Sequence, residues 1–347
     1  MTKEVLSMIN KGIDQLNKKE DISYDTMYEI FTDVLDGQVS DQDLREFIVA
    51  LSTKGETEDE ITAIAKVLID NAKDVPNFTG SAIDNCGTGG DRSKSFNIST
   101  TSAFVLASLG LTVAKHGNKS VTSKTGSSDV LTSLGIDLNF DRDKVAKELN
   151  QSNISFLSAQ HVHPKMGQIM RVRASIPHPT VFNFIGPCIN PVKLDYQFLG
   201  VYDREKLNTL AGVLKRLGRK KAIVINGAGF MDEASLLGDN HLVLLQNGEL
   251  KDIILKPTDY GLSLCQKEDL EGGDSQENKD ILFKVLKNQA TLAQKETVML
   301  NVGLSLLVAE KVTSLNDGIK LAKEALESGL AYRKFQEVIN NHKEYVG

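Results

Sequence analysis

The stretch whose residue types could do chemistry runs Asp84-Asn85-Cys86-Gly87-Thr88-Gly89-Gly90-Asp91, then Arg92-Ser93-Lys94-Ser95-Phe96, then Asn97-Ile98-Ser99-Thr100. Its glycines let backbone N–H groups approach an anion with no Cβ in the way. Ser81-Ala82-Ile83 before it reads as the end of a short strand, and Thr101 to Leu109 after it reads as a buried helix. A helix N-terminus there adds unpaired N–H donors and partial positive charge. Ser99 and Thr100 stand where they either cap that helix or bond a phosphate. Asp91 would repel a bare phosphate, so it suits sugar hydroxyls, an amine, or a metal carried in with the phosphate. The spacing matches neither the P-loop nor the dinucleotide fingerprint. A tight turn ahead of a capped helix would use the same residues.

A second polar loop repeats the arrangement. Leu111-Thr112-Val113-Ala114 reads as a strand, followed by Lys115-His116-Gly117-Asn118-Lys119-Ser120, with Ser123 to Asp129 opening a helix at Val130. Loops at the carboxyl ends of strands are where open α/β sheets bind ligands. Lys115 offers a mobile charge for phosphate, and Asn118 offers both a donor and an acceptor. His116 reads as a packed, hydrogen-bonded side chain, and Lys119 and Lys124 equally suit a solvated loop. His161 and His163 stand two apart like a metal pair, but no third ligand supports zinc. Arg171 and Arg173 present guanidinium groups for a carboxylate or for structural ion pairs. The adjacent Asp232 and Glu233 follow a glycine-bearing strand end and suit magnesium, a hard cation that takes oxygen ligands.

These residues must be held by a scaffold, and hydrophobic spacing supplies one. Residues 1–73 read as helices: Val5, Ile9, Ile13 and Leu16 share one face. Ser23, Ser40 and Thr57 start three more helices, whose apolar faces carry Phe31, Phe47 and Ile64. Asp74 to Gly80 is a turn-rich joint. From there short apolar runs alternate with helical segments, which predicts an α/β fold with a mostly parallel sheet behind a small N-terminal helical domain. The prolines between Ile176 and Val192 make a stiff connection crossing back toward the helices. Asn247-Gly248 marks a hairpin. Leu270 to Asn278 is a polar loop, and the remaining chain is helical without evident chemistry. The expected units are 1–73, completed by about 172–192, and 74–347.

Whole-chain composition narrows the function. With 347 residues, 41% hydrophobic and 25% charged, the chain can bury a sizeable core. A formal net charge of -6 argues against nucleic acid as a partner. No apolar run is long enough for a membrane span, and Met1 to Glu20 carries no secretory pattern. Three scattered cysteines form neither a disulfide framework nor a zinc site. A cytoplasmic enzyme is the expectation.

Taken in order, Gly87-Thr88-Gly89-Gly90-Asp91, Asn97-Ile98-Ser99-Thr100, Lys115 to Ser120, Val172-Arg173, Phe182-Asn183, Gly186-Pro187, Asn190-Pro191 and Met231-Asp232-Glu233 resemble the anthranilate phosphoribosyltransferases. The resemblance runs from the helical N-terminus to near the C-terminus. It implies a nucleoside phosphorylase-like fold, a homodimer joined through the helical domain, and transfer of a phosphoribosyl group from 5-phosphoribosyl 1-diphosphate to anthranilate with Mg2+, in tryptophan biosynthesis. Carried over residue by residue, it assigns the donor to Gly87, Gly90, Asp91, Ser95, Asn97, Ile98, Ser99, Thr100, Lys115, His116, Gly117, Asn118, Lys119, Ser120, Val121, Thr122, Ser123 and Ser127. It assigns anthranilate to Gly87, Asn118 and Arg173, and the metal to Ser99, Asp232 and Glu233. No protein nucleophile is implied. The chain departs from many members at Arg171, Ser175-Ile176-Pro177 and Pro179-Thr180, beside Arg173. The competing expectations are a pyrimidine nucleoside phosphorylase of the same architecture and a non-catalytic relative that binds nucleic acid.

Overall fold

The computed structural model describes residues 3–75, 78–117 and 126–346. The chain opens with four helices, α1 (Lys3–Asn17), α2 (Tyr24–Leu35), α3 (Asp41–Lys54) and α4 (Glu58–Asp70). Ser23, Ser40 and Thr57 accept backbone N–H groups at the starts of α2, α3 and α4, satisfying donors that have no partner inside the helix. Ile9, Leu16, Phe31, Phe47 and Ile64 are buried as the spacing predicts. Glu60 is fully buried, where it accepts hydrogen bonds from the amides of Ile22 and Thr57 and from Lys54 Nζ.

The rest alternates strand and helix: β1 (Ile83–Gly87), α5 (Ile98–Ser108), β2 (Val113–Gly117), α6 (Ser127–Ser133), α7 (Arg142–Gln151), β3 (Ile154–Ser158), α8 (Ala159–Val162), α9 (Gly167–Ala174), β4 (Tyr196–Gly200), α10 (Leu207–Arg216), β5 (Lys221–Asn226), β6 (Asn240–Gln246) and β7 (Glu249–Leu255). Four helices end the described chain, α11 (Ser275–Leu286), α12 (Leu292–Val308), α13 (Leu315–Glu327) and α14 (Leu330–Val346). The strands form one seven-stranded sheet in the order β3-β2-β1-β4-β5-β6-β7. β1 to β5 are parallel, and β6 and β7 are antiparallel. Asn247 and Gly248, with φ of 54° and 76°, make the two-residue hairpin turn between β6 and β7.

Successive strand residues face opposite layers. Phe198, Ile223 and Ile225 join the core under α5 and α12. Leu199, Ala222 and Val224 join the core under α10, α4 and the other N-terminal helices. That second core also takes in Ile169, Val172, Val181, Phe184 and Ile185, so the connection after α9 packs back onto the helical bundle. Strand order reverses at β1, which has β2 on one side and β4 on the other. Such a reversal leaves a crevice beyond the carboxyl ends of the two strands.

Three boundaries differ from expectation. β1 begins at Ile83 instead of ending there, β2 continues through Lys115, His116 and Gly117, and α5 starts at Ile98. Polar residues hid the strands. Asp84 and Asn85 are buried in β1 and Lys115 and His116 in β2, and some of their groups find partners from other elements. Asn190 Nδ2 donates to Asp84 Oδ2 at 2.9 Å, and Lys115 Nζ donates to the Asn85 carbonyl at 3.1 Å. Among the described residues no helix is long and apolar enough to cross a membrane.

Candidate active site

The β1–β4 crevice opens into a cleft of about 570 Å³. Its floor is the glycine stretch. Gly89 and Gly90 have φ of 71° and 85°, and Arg92 and Lys94 also take left-handed backbone at 57° and 59°. Left-handed backbone of this kind suits an anion-binding turn, although several of its amides are used within the protein. The Gly89 amide donates to Asp232 Oδ2 at 2.6 Å. Asp91 Oδ1 accepts from the Ser93 amide at 3.0 Å, while its Oδ2 accepts from the Asp232 amide at 3.4 Å. Asp91 thus ties the loop to the carboxylate segment.

That segment lies directly across the strand ends. Gly87 and Gly200 are register partners in β1 and β4. A Cβ on either would overlap the Asp232 backbone, at Gly200 most severely against its carbonyl oxygen. Only glycine at both positions lets the carboxylates sit this low over the sheet. Asp232 is pushed well above the ordinary carboxylate range by removal from water and then by the charges of Asp91 and Glu233. Burial raises Glu233 to about 7, opposed by Lys115 and by a hydrogen bond with Ser99. The two acids are costly as bare anions, and a cation between them would relieve that cost.

The opposite wall comes from α9 and the connection after it. Arg173 is partly buried, and its Nε has no hydrogen-bond partner among the described residues. Burial lowers its pKa, with Tyr202 opposing. His116 and His163 meet edge to face with ring centroids 5.4 Å apart. Burial drops them to about 3 and about 4, the His163 ring adding to the shift at His116, so both are neutral. Met166, Met170, Phe182, Ile185 and Pro187 make the rest of this wall apolar. The cleft therefore has a polar, anion-suited half and an apolar half with one guanidinium, which suits a phosphorylated group beside a flat acid.

The structure brings together Gly87, Gly90, Asp91, Ser95, Asn97, Ile98, Ser99, Lys115, His116, Gly117, Ser127, Arg173, Asp232 and Glu233, all of which line this cleft. Asn118, Lys119, Ser120, Val121, Thr122 and Ser123 lie outside the described residues. Thr100 is fully buried in the first turn of α5 and is not among the residues lining the cleft, because the helix starts early enough to turn it inward. Of the two roles expected for Ser99 and Thr100, capping is corrected: Asn97 holds the N-cap position and makes no side-chain cap bond. Lys115 is not a mobile arm but a buried strand residue holding Asn85. His161 does not pair with His163; its Nδ1 contacts the Leu138 carbonyl oxygen at 2.7 Å. Arg171 is bound to Asp41 through Nε and Nη2, both at 2.9 Å.

Sequence reasoning gave no site role to Gly200 or to the loop at Leu270 to Gly272; it read His163 only as half of a metal pair and Phe182 only as part of the family resemblance. Phe96 N donates to the Leu270 carbonyl at 2.9 Å and Gly272 N to the Lys94 carbonyl at 2.8 Å, so that loop braces the glycine stretch from outside. Gly200 had a readable signal, since both Ile83–Gly87 and Tyr196–Gly200 end a strand on glycine.

The chain is similar to known proteins in sequence and fold. Residues 79–332 match the glycosyl transferase family a/b domain, and residues 9–72 match the glycosyl transferase family helical bundle domain. An anthranilate phosphoribosyltransferase from Listeria monocytogenes serovar 1/2a is 46% identical over 337 residues, covering 97% of this chain and 98% of that protein. The crystal structure of anthranilate phosphoribosyltransferase from Thermus thermophilus superposes with a TM-score of 0.90 at 34% identity, covering 96% of this chain and 99% of that one. The Saccharomyces cerevisiae enzyme, solved in complex with PRPP and Mg, shares the fold with a TM-score of 0.89 at 24% identity and 99% coverage of both chains.

Proposed function

The chain belongs to the anthranilate phosphoribosyltransferase family, and from that premise we propose that the β1–β4 cleft joins anthranilate to 5-phosphoribosyl 1-diphosphate, releasing diphosphate. The observation that carries this reading is the convergence of the glycine coil, the Asp232-Glu233 pair and the Arg173 guanidinium on one cavity. The glycine coil and the first turn of α5 offer N–H groups to the diphosphate. Ser95, Asn97, Ser99 and Ser127 add polar contacts to the donor. Arg173 orients anthranilate by its carboxylate, and the apolar wall at Met170 and Phe182 takes the ring.

Ser99, Asp232 and Glu233 are the residues that would hold magnesium. They fit it: both acids are desolvated, Lys115 is the cation that offsets Glu233, and the Ser99 hydroxyl meets Glu233. Among the described residues no three His, Cys, Asp or Glu side chains form a metal cage by themselves. Magnesium suits that, since it takes one or two carboxylates and completes its shell with phosphate and water. When bound, it would offset the charge of the departing diphosphate. The arylamine nitrogen bonds C1 of the ribose as the bond from C1 to diphosphate breaks. The protein's part is to align the two substrates and to stabilise charge as it develops.

The division near residue 74, with 172–192 returning to the helices, belongs to this reading, as do a cytoplasmic location and a homodimer joined through the helices. A solution mass of a single chain would remove the dimer from it. Mixing the protein with anthranilate, the donor and magnesium is expected to quench anthranilate fluorescence. An unchanged signal at high enzyme, with phosphorolysis of thymidine or uridine in its place, overturns the proposal in favour of a nucleoside phosphorylase.

A further inference from the structure

The segment from Met231 to Ser235 belongs to no named strand or helix, yet Ala234 and Ser235 are fully buried. Buried backbone groups outside a ladder need other partners. One is Gly227, whose amide donates to the Met231 carbonyl at 2.8 Å. Ala234 and Ser235 are each gripped by an asparagine side chain. Asn301, in the middle of α12 and 2% exposed, accepts the Ala234 amide on Oδ1 at 3.0 Å and donates from Nδ2 to the Ala234 carbonyl at 2.8 Å. Asn240, at the start of β6, grips the Ser235 amide and carbonyl at 2.7 and 2.9 Å. Both asparagines are buried, and each matches one carboxamide to one residue's donor and acceptor.

Ala234 follows Glu233 directly, so its amide and the Glu233 carbonyl share one planar peptide. Gripping Ala234 fixes that plane, and with it the backbone from which the Glu233 side chain springs. From the other side, Gly87 and Gly200 set how low the segment can lie, and Asp91 with the Gly89 amide fixes Asp232. Nothing in α12 itself lines the cleft. We propose that Asn301 is a positioning residue for the magnesium-holding carboxylates, acting through the Ala234 peptide to hold Glu233 and Asp232 against the glycine coil. This rests on the metal assignment made above. The wider consequence is that the C-terminal helical layer, which lies behind the cleft, sets the geometry of the metal site.

The test compares the full-length protein with Asn301→Leu, which keeps the number and branching of side-chain heavy atoms and removes both bonds to Ala234. Mn2+, a paramagnetic cation with the same preference for oxygen ligands, is titrated in the presence of phosphoribosyl diphosphate and the free ion is read by electron paramagnetic resonance. Partners that orient metal ligands typically contribute about 10- to 100-fold to affinity, and a loss of that size is expected. The KM for anthranilate should stay within about two-fold, because Arg173 and the apolar wall are on other elements. Amide exchange in the peptide spanning 231–235 should speed up, and this readout needs no metal. Unchanged Mn2+ affinity, or unchanged exchange in that peptide, in a folded variant overturns the inference. If Asn301→Leu fails to fold, Asn301→Ala removes both bonds without adding bulk or charge. It should bind Mn2+ more weakly than the parent, and parental affinity overturns the inference equally. If the parent protein itself binds no Mn2+ beside the donor, the metal assignment fails, and the exchange comparison alone still decides whether Asn301 holds the segment.

Discussion

At the scale of single residues, the cleft separates side chains that hold the fold from side chains that face it. Arg171 and Arg173 stand two apart on α9, yet the first is exposed and bound to Asp41 while the second points a partly buried guanidinium into the cavity. A charge-assisted hydrogen bond to a ligand carboxylate contributes about 1.5–3 kcal/mol. Arg173→Ala should therefore raise the KM for anthranilate about 10- to 100-fold and leave that for the donor nearly unchanged. Steady-state kinetics with each substrate varied in turn decide this, and equal effects on both would contradict the role given to Arg173. Lys115 has the opposite character. Buried in β2, it offsets the charges of Asp84 and Glu233 from beneath, and it is fixed before any substrate arrives.

At the scale of elements, the site exists because two strands end in glycine side by side. β1 and β4 bring Gly87 and Gly200 into register, and the Asp232 backbone crosses immediately above them. Backbone cannot move aside as a flexible side chain can. Gly200→Ala should thus lift the carboxylate segment by about an ångström, and misplacement of that order at a reacting centre costs about 100-fold in rate. The expected result is a large loss of kcat with a far-ultraviolet circular dichroism spectrum like that of the parent. A variant with the parent's kcat and magnesium titration would show that the close approach does not matter. α5 contributes from the same neighbourhood. Its early start at Ile98 sends Thr100 inward and leaves Ser99 beside Glu233.

At the scale of the whole molecule, the helical bundle and the sheet share one hydrophobic core, since Leu199, Val201 and Val224 pack in the same cluster as Phe31, Phe47 and Ile64. The cleft wall bearing Arg173 is anchored in that cluster through Ile169 and Val172. Stability of the bundle is therefore a condition for the site. Within it, Lys54 and Glu60 form an ion pair at 2.8 Å with side chains 4% and 0% exposed. Removing one partner of a buried pair typically costs about 3–5 kcal/mol, so Glu60→Ala should lower the urea midpoint markedly. Asp21, bound to the same Lys54 but 69% exposed, should cost under about 1 kcal/mol on replacement by alanine. Equal shifts for the two variants would mean that burial of Glu60 carries no special weight.

The chain's own order of residues settled a good deal. Apolar spacing located the four N-terminal helices and the alternation of strand and helix, because each element had to bury one face. Asn247-Gly248 located the hairpin, because left-handed backbone at two positions restricts the residues allowed. The glycine stretch and the Asp232-Glu233 pair were visible as candidate chemistry by residue type alone. Spacing was least informative where polar residues were buried. Asp84 and Lys115 read as loop because a strand carrying charges is stable only if partners such as Asn190 arrive from far along the chain, or from the neighbouring strand. Asn301 was invisible as a contributor for a related reason, and Gly200 showed only as a glycine at a strand end: neither is chemically reactive, and each matters only through what lies against it. Which groups meet across the strand order is decided by folding in three dimensions, since close approach and mutual hydrogen bonding are properties of pairs that the linear chain does not contain.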